Sequence, residues 1–159
     1  MYNVLDVCRH VINYSNNQDY GISNLKLQKV LYFIQAYFLI STPEACFVEQ
    51  IEAWDFGPIV PEAYNEYKQY GSGDIPYITS YIQFDEEDIW NSARIDFSDN
   101  IISDDDKKLI DMVVDKFSEY SATDLVTLTH RQAPWKYAYV RGMNNAIKNE
   151  SIKEYFSGK

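Results

Sequence analysis

Apolar residues recur at helical spacing from the start of the chain. Val4, Leu5, Cys8, Val11 and Ile12 fall at i, i+1, i+4, i+7 and i+8, which predicts a first helix over residues 3–14. The polar run Ser15-Asn16-Asn17-Gln18-Asp19 then reads as a loop. Ser23 is a good N-cap for a second helix over residues 24–40, a stretch without Gly or Pro. Leu27, Val30, Leu31, Ile34, Tyr37 and Phe38 form one stripe of it, and Tyr32, Phe33, Ala36, Leu39 and Ile40 fill most of the rest. A helix apolar nearly all round belongs inside a bundle. This is therefore the expected central helix, with Gln28, Lys29 and Gln35 as its few polar exceptions, and Thr42-Pro43 stops it.

Residues 51–56 alternate well enough for a short strand, and Gly57-Pro58 forces a turn. Pro61 suits the first turn of a third helix that carries Tyr64 and Tyr67 on one side and ends at Gly71. Residues 71–102 are the least patterned part of the chain. Asp85-Glu86-Glu87-Asp88 reads as a charged loop or helix start, and residues 95–97 as a second strand that pairs with 51–56. Ser103, followed by three Asp residues, caps a long amphipathic helix that carries Leu109, Ile110, Val113, Val114 and Phe117. Ser121 opens a short helix to about Thr129, Ala133-Pro134-Trp135 opens another that Gly142 stops, and Ser151 caps a terminal one. The fold class expected is mainly α: one domain over residues 1–159, a multi-helix body around a central buried helix, with a small β-hairpin-like element.

Composition narrows the function. The chain has 14 Tyr, 8 Phe and 3 Trp, so some aromatics must sit at the edge of the core, where a hydroxyl or indole N–H stays wet. The net charge of −10 is concentrated: residues 61–106 carry 2 Lys/Arg against 12 Asp/Glu. An acidic body repels phosphate backbones and attracts basic proteins, which disfavours nucleic acid as a partner. The N-terminus lacks the basic and apolar pattern of a signal peptide, and no apolar run nears the ~20 residues of a membrane span. A cytoplasmic, reducing location is the expectation.

No residues assemble into a recognisable catalytic, metal or cofactor signature. Cys8 and Cys46 have no CxxC spacing, and Cys8 lies on the apolar stripe as a small core residue. The two histidines, His10 and His130, lie in no HExxH context. His10 reads as a partly exposed helix residue. His130 closes a short helix, where it suits the free carbonyls of the helix end; a proton-transfer role in a cleft is the alternative. No glycine pattern makes a phosphate loop, and no acidic run alternates as a calcium loop would. The segment Trp54–Tyr64, stiffened by Pro58 and Pro61, reads either as a binding loop or as a Trp that plugs the core above a plain turn.

Three blocks of sequence resemble the Panacea domain family. Ile22-Ser23-Asn24-Leu25-Lys26-Leu27-Gln28-Lys29-Val30-Leu31-Tyr32-Phe33-Ile34-Gln35-Ala36 is similar to its I-s-x-L-K-L-Q-K-L-L-Y-F-x-Q-A opening. Ile51-Glu52-Ala53-Trp54-Asp55-Phe56-Gly57-Pro58-Ile59-Val60-Pro61 is similar to its I-x-A-W-x-y-G-P-V-V-P block, with Tyr64 following. Leu128-Thr129-His130 and Pro134-Trp135 match its L-S-x-x-T-H-x-x-x-P-W block. The family includes SocA-like antitoxins and phage-associated proteins of the GepA type. The resemblance implies a non-enzymatic antitoxin without cofactor or metal, whose partner is a cognate toxin protein encoded beside it. For some members it also implies a cellular protease to which the toxin is delivered. The candidate partner-binding or motif residues are Gln28, Lys29, Trp54, Phe56, Gly57, Pro58, Pro61, Tyr64, Tyr67, Thr129, His130, Pro134 and Trp135. A phage-encoded regulator of a host protein, and an enzyme built on His130, are the alternatives. An exposed apolar edge on the third helix would serve self-association or toxin binding equally well.

Overall fold

The second helix is the axis of the molecule. In the computed structural model, which describes residues 1–158 without the side chain of Ile89, α2 (Asn24–Ser41) buries twelve of its 18 residues. It packs against α1 (Val4–Asn17), α3 (Pro61–Tyr67), α4 (Asp104–Lys116), α5 (Ala122–His130) and α7 (Asn149–Phe156). The short α6 (Ala133–Ala138) lies against α7. Phe33 of α2 stacks on Phe117 at 4.3 Å between ring centres, and Tyr32 and Phe33 both meet Phe156 edge to face. One contiguous cluster of buried side chains joins these helices.

The helix starts follow from the sequence. Ser23 Oγ accepts from Lys26 N–H, and Ser103 Oγ from Asp106 N–H. Ser121 and Asp124 cap one another's backbone N–H groups at 3.0 Å, a full capping box. α1 runs three residues further than expected, because Ser15 turns inward and is buried. α7 starts at Asn149 behind Lys148, not at a Ser151 cap, and α6 stops at Ala138, well before Gly142. Lys68–Tyr70 continue α3 as a tight 3-10 turn up to Gly71.

Among the described residues, five short strands form two separate sheets. β1 (Ile51–Trp54) lies between β2 (Gly57–Ile59) and β5 (Ala146–Ile147), antiparallel to both. The hairpin register pairs Trp54 with Gly57, so the turn lies at Asp55-Phe56 and not, as expected, at Gly57-Pro58, which open β2 because the positive φ of Gly57 lets the chain leave the two-residue tip. β3 (Ser80–Gln83) pairs with β4 (Ala93–Asp96) as an isolated two-stranded arm. The expected pairing of residues 95–97 with 51–56 is therefore wrong. Ile95 pairs with Tyr81, and the edge of β1 is taken by Ala146 and Ile147, two residues too few to show a strand period.

Two other expectations are corrected. His10 is buried, its Nε2 2.7 Å from Asp111 Oδ1 and its Nδ1 3.4 Å from Asp99 Oδ2, so it ties α1 to α4. The partner carboxylates lie about a hundred positions away, beyond what a helical period reveals. The outer face of α3 is Glu62, Asn65 and Glu66, with Ala63 and Tyr67 turned into the core, so the expected apolar edge shrinks to the half-buried ring of Tyr64. Cys8 and Cys46 are both free and buried, and burial raises both thiol pKa values.

Gln35, fully buried, holds the chain that leads into β1. Its Oε1 accepts from Cys46 N–H at 2.9 Å and Phe47 N–H at 3.2 Å, and its Nε2 donates to Phe47 O at 3.0 Å. Gln35→Leu keeps the volume but strands three buried backbone groups, each costing about 1–3 kcal/mol. Urea unfolding is expected to show a loss of about 3 kcal/mol or more; a loss below about 1 kcal/mol would mean that the amide does not hold this segment.

Candidate partner-binding site

Three polar residues of α2, Asn24, Gln28 and Lys29, converge on the backbone of β2 and α3 beside the β1–β2 hairpin. Gln28 Nε2 donates to Asn24 Oδ1 at 3.0 Å, and its Oε1 accepts from Val60 N–H at 2.9 Å. Asn24 Nδ2 in turn donates to Tyr64 O at 3.1 Å, at the middle of α3. Lys29 Nζ donates to Pro58 O at 3.2 Å. Pro58 and Val60 flank the end of β2, so α2 grips that strand and the entry to α3 from beneath. Each contact removes a buried polar group from the unsatisfied state, which is why so apolar a helix carries these residues inside.

Lys29 is fully buried, and burial lowers its pKa to about 7. Gly57 makes the close approach possible. Its φ is +104°, and a Cβ there would lie 2.6 Å from Lys29 Cε and 2.9 Å from Thr129 Oγ1. Thr129, buried on α5, donates its hydroxyl to Leu125 O at 2.8 Å and, like the lysine stem, occupies the space where a Gly57 side chain would lie. Gln28, Lys29, Gly57, Pro58 and Thr129 are thus brought together as one buried fastening, and none of them is exposed.

A second fastening comes from α6. Trp135 Nε1 donates to Trp54 O at 2.8 Å, and Tyr32 on α2 donates its hydroxyl to Gln132 Oε1 at 2.8 Å. Pro134 is buried at the start of α6. His130, Trp135 and Tyr139 stack in succession, with ring centres 4.0 and 4.4 Å apart. The Tyr139 hydroxyl donates to Asp55 at the hairpin tip, and that carboxylate raises the tyrosine's pKa. The expected role of His130 at the helix-end carbonyls is corrected. The N–H groups of Arg131 and Gln132 occupy the carbonyls of Leu128 and Thr129, while the His130 ring stacks on Trp135 with its Nε2 buried and unpartnered among the described residues.

What this support presents outward is aromatic. Phe56 at the hairpin tip is 65% exposed. Trp54 meets Tyr64 edge to face at 5.2 Å. Together with Leu25 and Ile59 these rings line a groove of about 550 Å³, closed by Asp55, Lys68 and the Gly142–Asn144 loop. Pro61 sets the first turn of α3 and thereby the position of Tyr64. Tyr67 lies apart from this surface, in the core. Asp55, Tyr139 and the loop after it escape a sequence reading, because their contacts with the hairpin span some 84 positions and carry no motif.

Fold and surface together define a mainly helical protein whose buried polar residues hold an aromatic hairpin up to solvent. The chain belongs to the antitoxin SocA-like, Panacea domain family, whose profile matches residues 27–136. It is 32% identical over 122 residues to Antitoxin SocA of Caulobacter vibrioides (strain NA1000 / CB15N), a match that covers 74% of this chain and 60% of that relative. The chain thus spans about three fifths of the length of the curated relative it matches. No solved structure matches it. No helix among the described residues is long and apolar enough to cross a membrane.

Lys29 gives the stability a pH dependence of definite sign. In the unfolded chain the amine keeps its ordinary value near 10.5, and in the folded chain it falls to about 7. Between those values the unfolded state binds the extra proton, so folding stability rises with pH, by up to about 1.4 kcal/mol per unit from this group. Lys29→Met is expected to flatten the stability profile between pH 7 and 10 in chemical denaturation. An unchanged slope would show that Lys29 stays charged in the fold.

Proposed function

We propose that this protein is an antitoxin that neutralises a toxin protein by direct contact, with the Phe56 tip and the Trp54–Tyr64 groove as the contact surface. The observation that carries this reading is the exposure of a large aromatic side chain on a backbone held rigid from two sides. A two-residue turn that ends in Gly57, clamped by Lys29 below and Trp135 beside it, loses little entropy when a partner closes over it. Trp, Tyr and Phe are the residue types that dominate interface energetics. Family membership supports the toxin as the class of partner. It also supports a non-enzymatic role, and the His130 ring is engaged in stacking on Trp135.

Both parts of the family block then have a reason. Gln28, Lys29, Gly57, Pro58, Thr129 and Pro134 hold the hairpin and need not touch the toxin. Trp54, Phe56 and Tyr64 meet it. Delivery of the bound toxin to a cellular protease is the further step that the family suggests, and the same complex would be its substrate.

The test is co-expression with the neighbouring gene product in a host that the product alone kills. Wild-type protein is expected to restore growth. Phe56→Asp, at an exposed position, is expected to keep the melting temperature within about 2 °C and to lose at least about 2 kcal/mol of toxin affinity, roughly thirtyfold. Full protection by the variant would remove the tip from the contact surface. Toxin half-life in the same cells separates simple occlusion, which leaves it unchanged, from delivery to a protease, which shortens it.

A further inference from the structure

The β3–β4 arm plays no part in the hairpin support and shares no residue with the aromatic groove. It is rooted on α1, where Asn13 exchanges two hydrogen bonds with the backbone of Ile78 and the Arg9 guanidinium lies 3.5 Å over the Tyr81 ring. Beyond that root it is two strands of four residues, with no third strand on either side among the described residues. An isolated hairpin is marginal in water, and its free edges are rows of unpaired N–H and C=O groups.

The register places Ser80, Ile82, Arg94 and Asp96 on one face of the arm, and Phe84 continues that face beyond β3. Ile82 is 49% exposed, Phe84 68%, and Trp90, in the turn region between the strands, 91%. Around these side chains, residues 80–96 carry five carboxylates (Asp85, Glu86, Glu87, Asp88 and Asp96) against the single Arg94. A second copy of the chain would bring the same negative excess, and a nucleic-acid backbone would add more. A cationic protein segment is the complementary occupant.

We propose that this arm is a second docking surface, one that takes a cationic, extended segment of another protein by strand addition, with alternate apolar side chains seated on Ile82, Phe84 and Trp90. Main-chain pairing along the edge would supply affinity, and the carboxylates at the turn would select a basic strand and speed its encounter. The inference stands apart from the antitoxin reading, since it rests on the arm and not on the hairpin tip.

The test uses the full chain at low salt and a ten-residue peptide of alternating Lys and Val, read by tryptophan fluorescence, with Trp90→Phe to identify the responding indole. The wild-type chain is expected to bind this peptide at least about tenfold more tightly than a Glu-Val peptide of the same length. N-methylation of alternate amides of the probe, or the Ile82→Ser/Phe84→Ser double substitution, is expected to weaken binding by about tenfold. Absence of saturable binding overturns the proposal. So does binding unaffected by N-methylation, which would be charge attraction alone. So does a dimer of the wild-type chain that the double substitution dissociates, since the occupant would then be a second copy. Should the double substitution lower the melting temperature, the N-methylated probe on the wild-type chain decides the question by itself.

Discussion

The structure depends on a buried helix that spends its polar side chains on another element's backbone. Without Gln28, Lys29 and Gln35, α2 would be an unusually apolar helix with no preference for what it packs against. With them, it has one set of neighbours. Gln35 holds the chain at Cys46 and Phe47, Lys29 reaches the carbonyl of Pro58, and Gln28 receives the N–H of Val60. The β1–β2 hairpin between these points has only one place to lie. Gly57 is the reciprocal concession, a residue without a side chain where the lysine stem must pass. The same low polarity that makes an unmet group costly makes each met one specific.

From that constraint the rest of the surface follows. A hairpin fixed from below by α2 and from the side by Trp135 leaves its two-residue tip outside, and the tip carries Phe56. α3 begins where Gln28 holds Val60, and its first turns bring Tyr64 against Trp54. The ring stack from His130 through Trp135 to Tyr139 reaches the tip from the other side through Asp55. Most of the family motif is thus buried in contacts with the hairpin, and a smaller aromatic part faces the groove.

Much of this was legible in the sequence, and the limits have physical causes. The central helix, its Ser23 cap and its stop at Thr42-Pro43 are local matters of period and capping, and they stand where the sequence places them. The same holds for the capping signals at Ser103 and Ser121. The Pro61 helix start was equally plain, whereas the turn expected at Gly57-Pro58 falls two residues earlier, at Asp55-Phe56. What sequence could not supply was pairing across distance. His10 meets Asp99 and Asp111, β1 meets Ala146 and Ile147, and Tyr139 meets Asp55, all through contacts without a motif. The apolar side of the third helix was overestimated because Ala63 and Tyr67 face the core and Tyr64 alone reaches the groove. For the candidate site residues, the division into buried and outward-facing side chains was hidden. Nothing in the letters of Gln28 and Lys29 says that they face a backbone and not a partner.

The central claim is that the buried fastening exists to present the Phe56 tip to a protein partner. A photo-crosslinking amino acid placed at position 56, in cells that also make the toxin, tests this most directly. The account predicts a covalent adduct with the toxin from position 56 and none from a control position on the outer face of α3, such as Asn65. A stable toxin complex that yields adducts at the control but not at position 56 would contradict it.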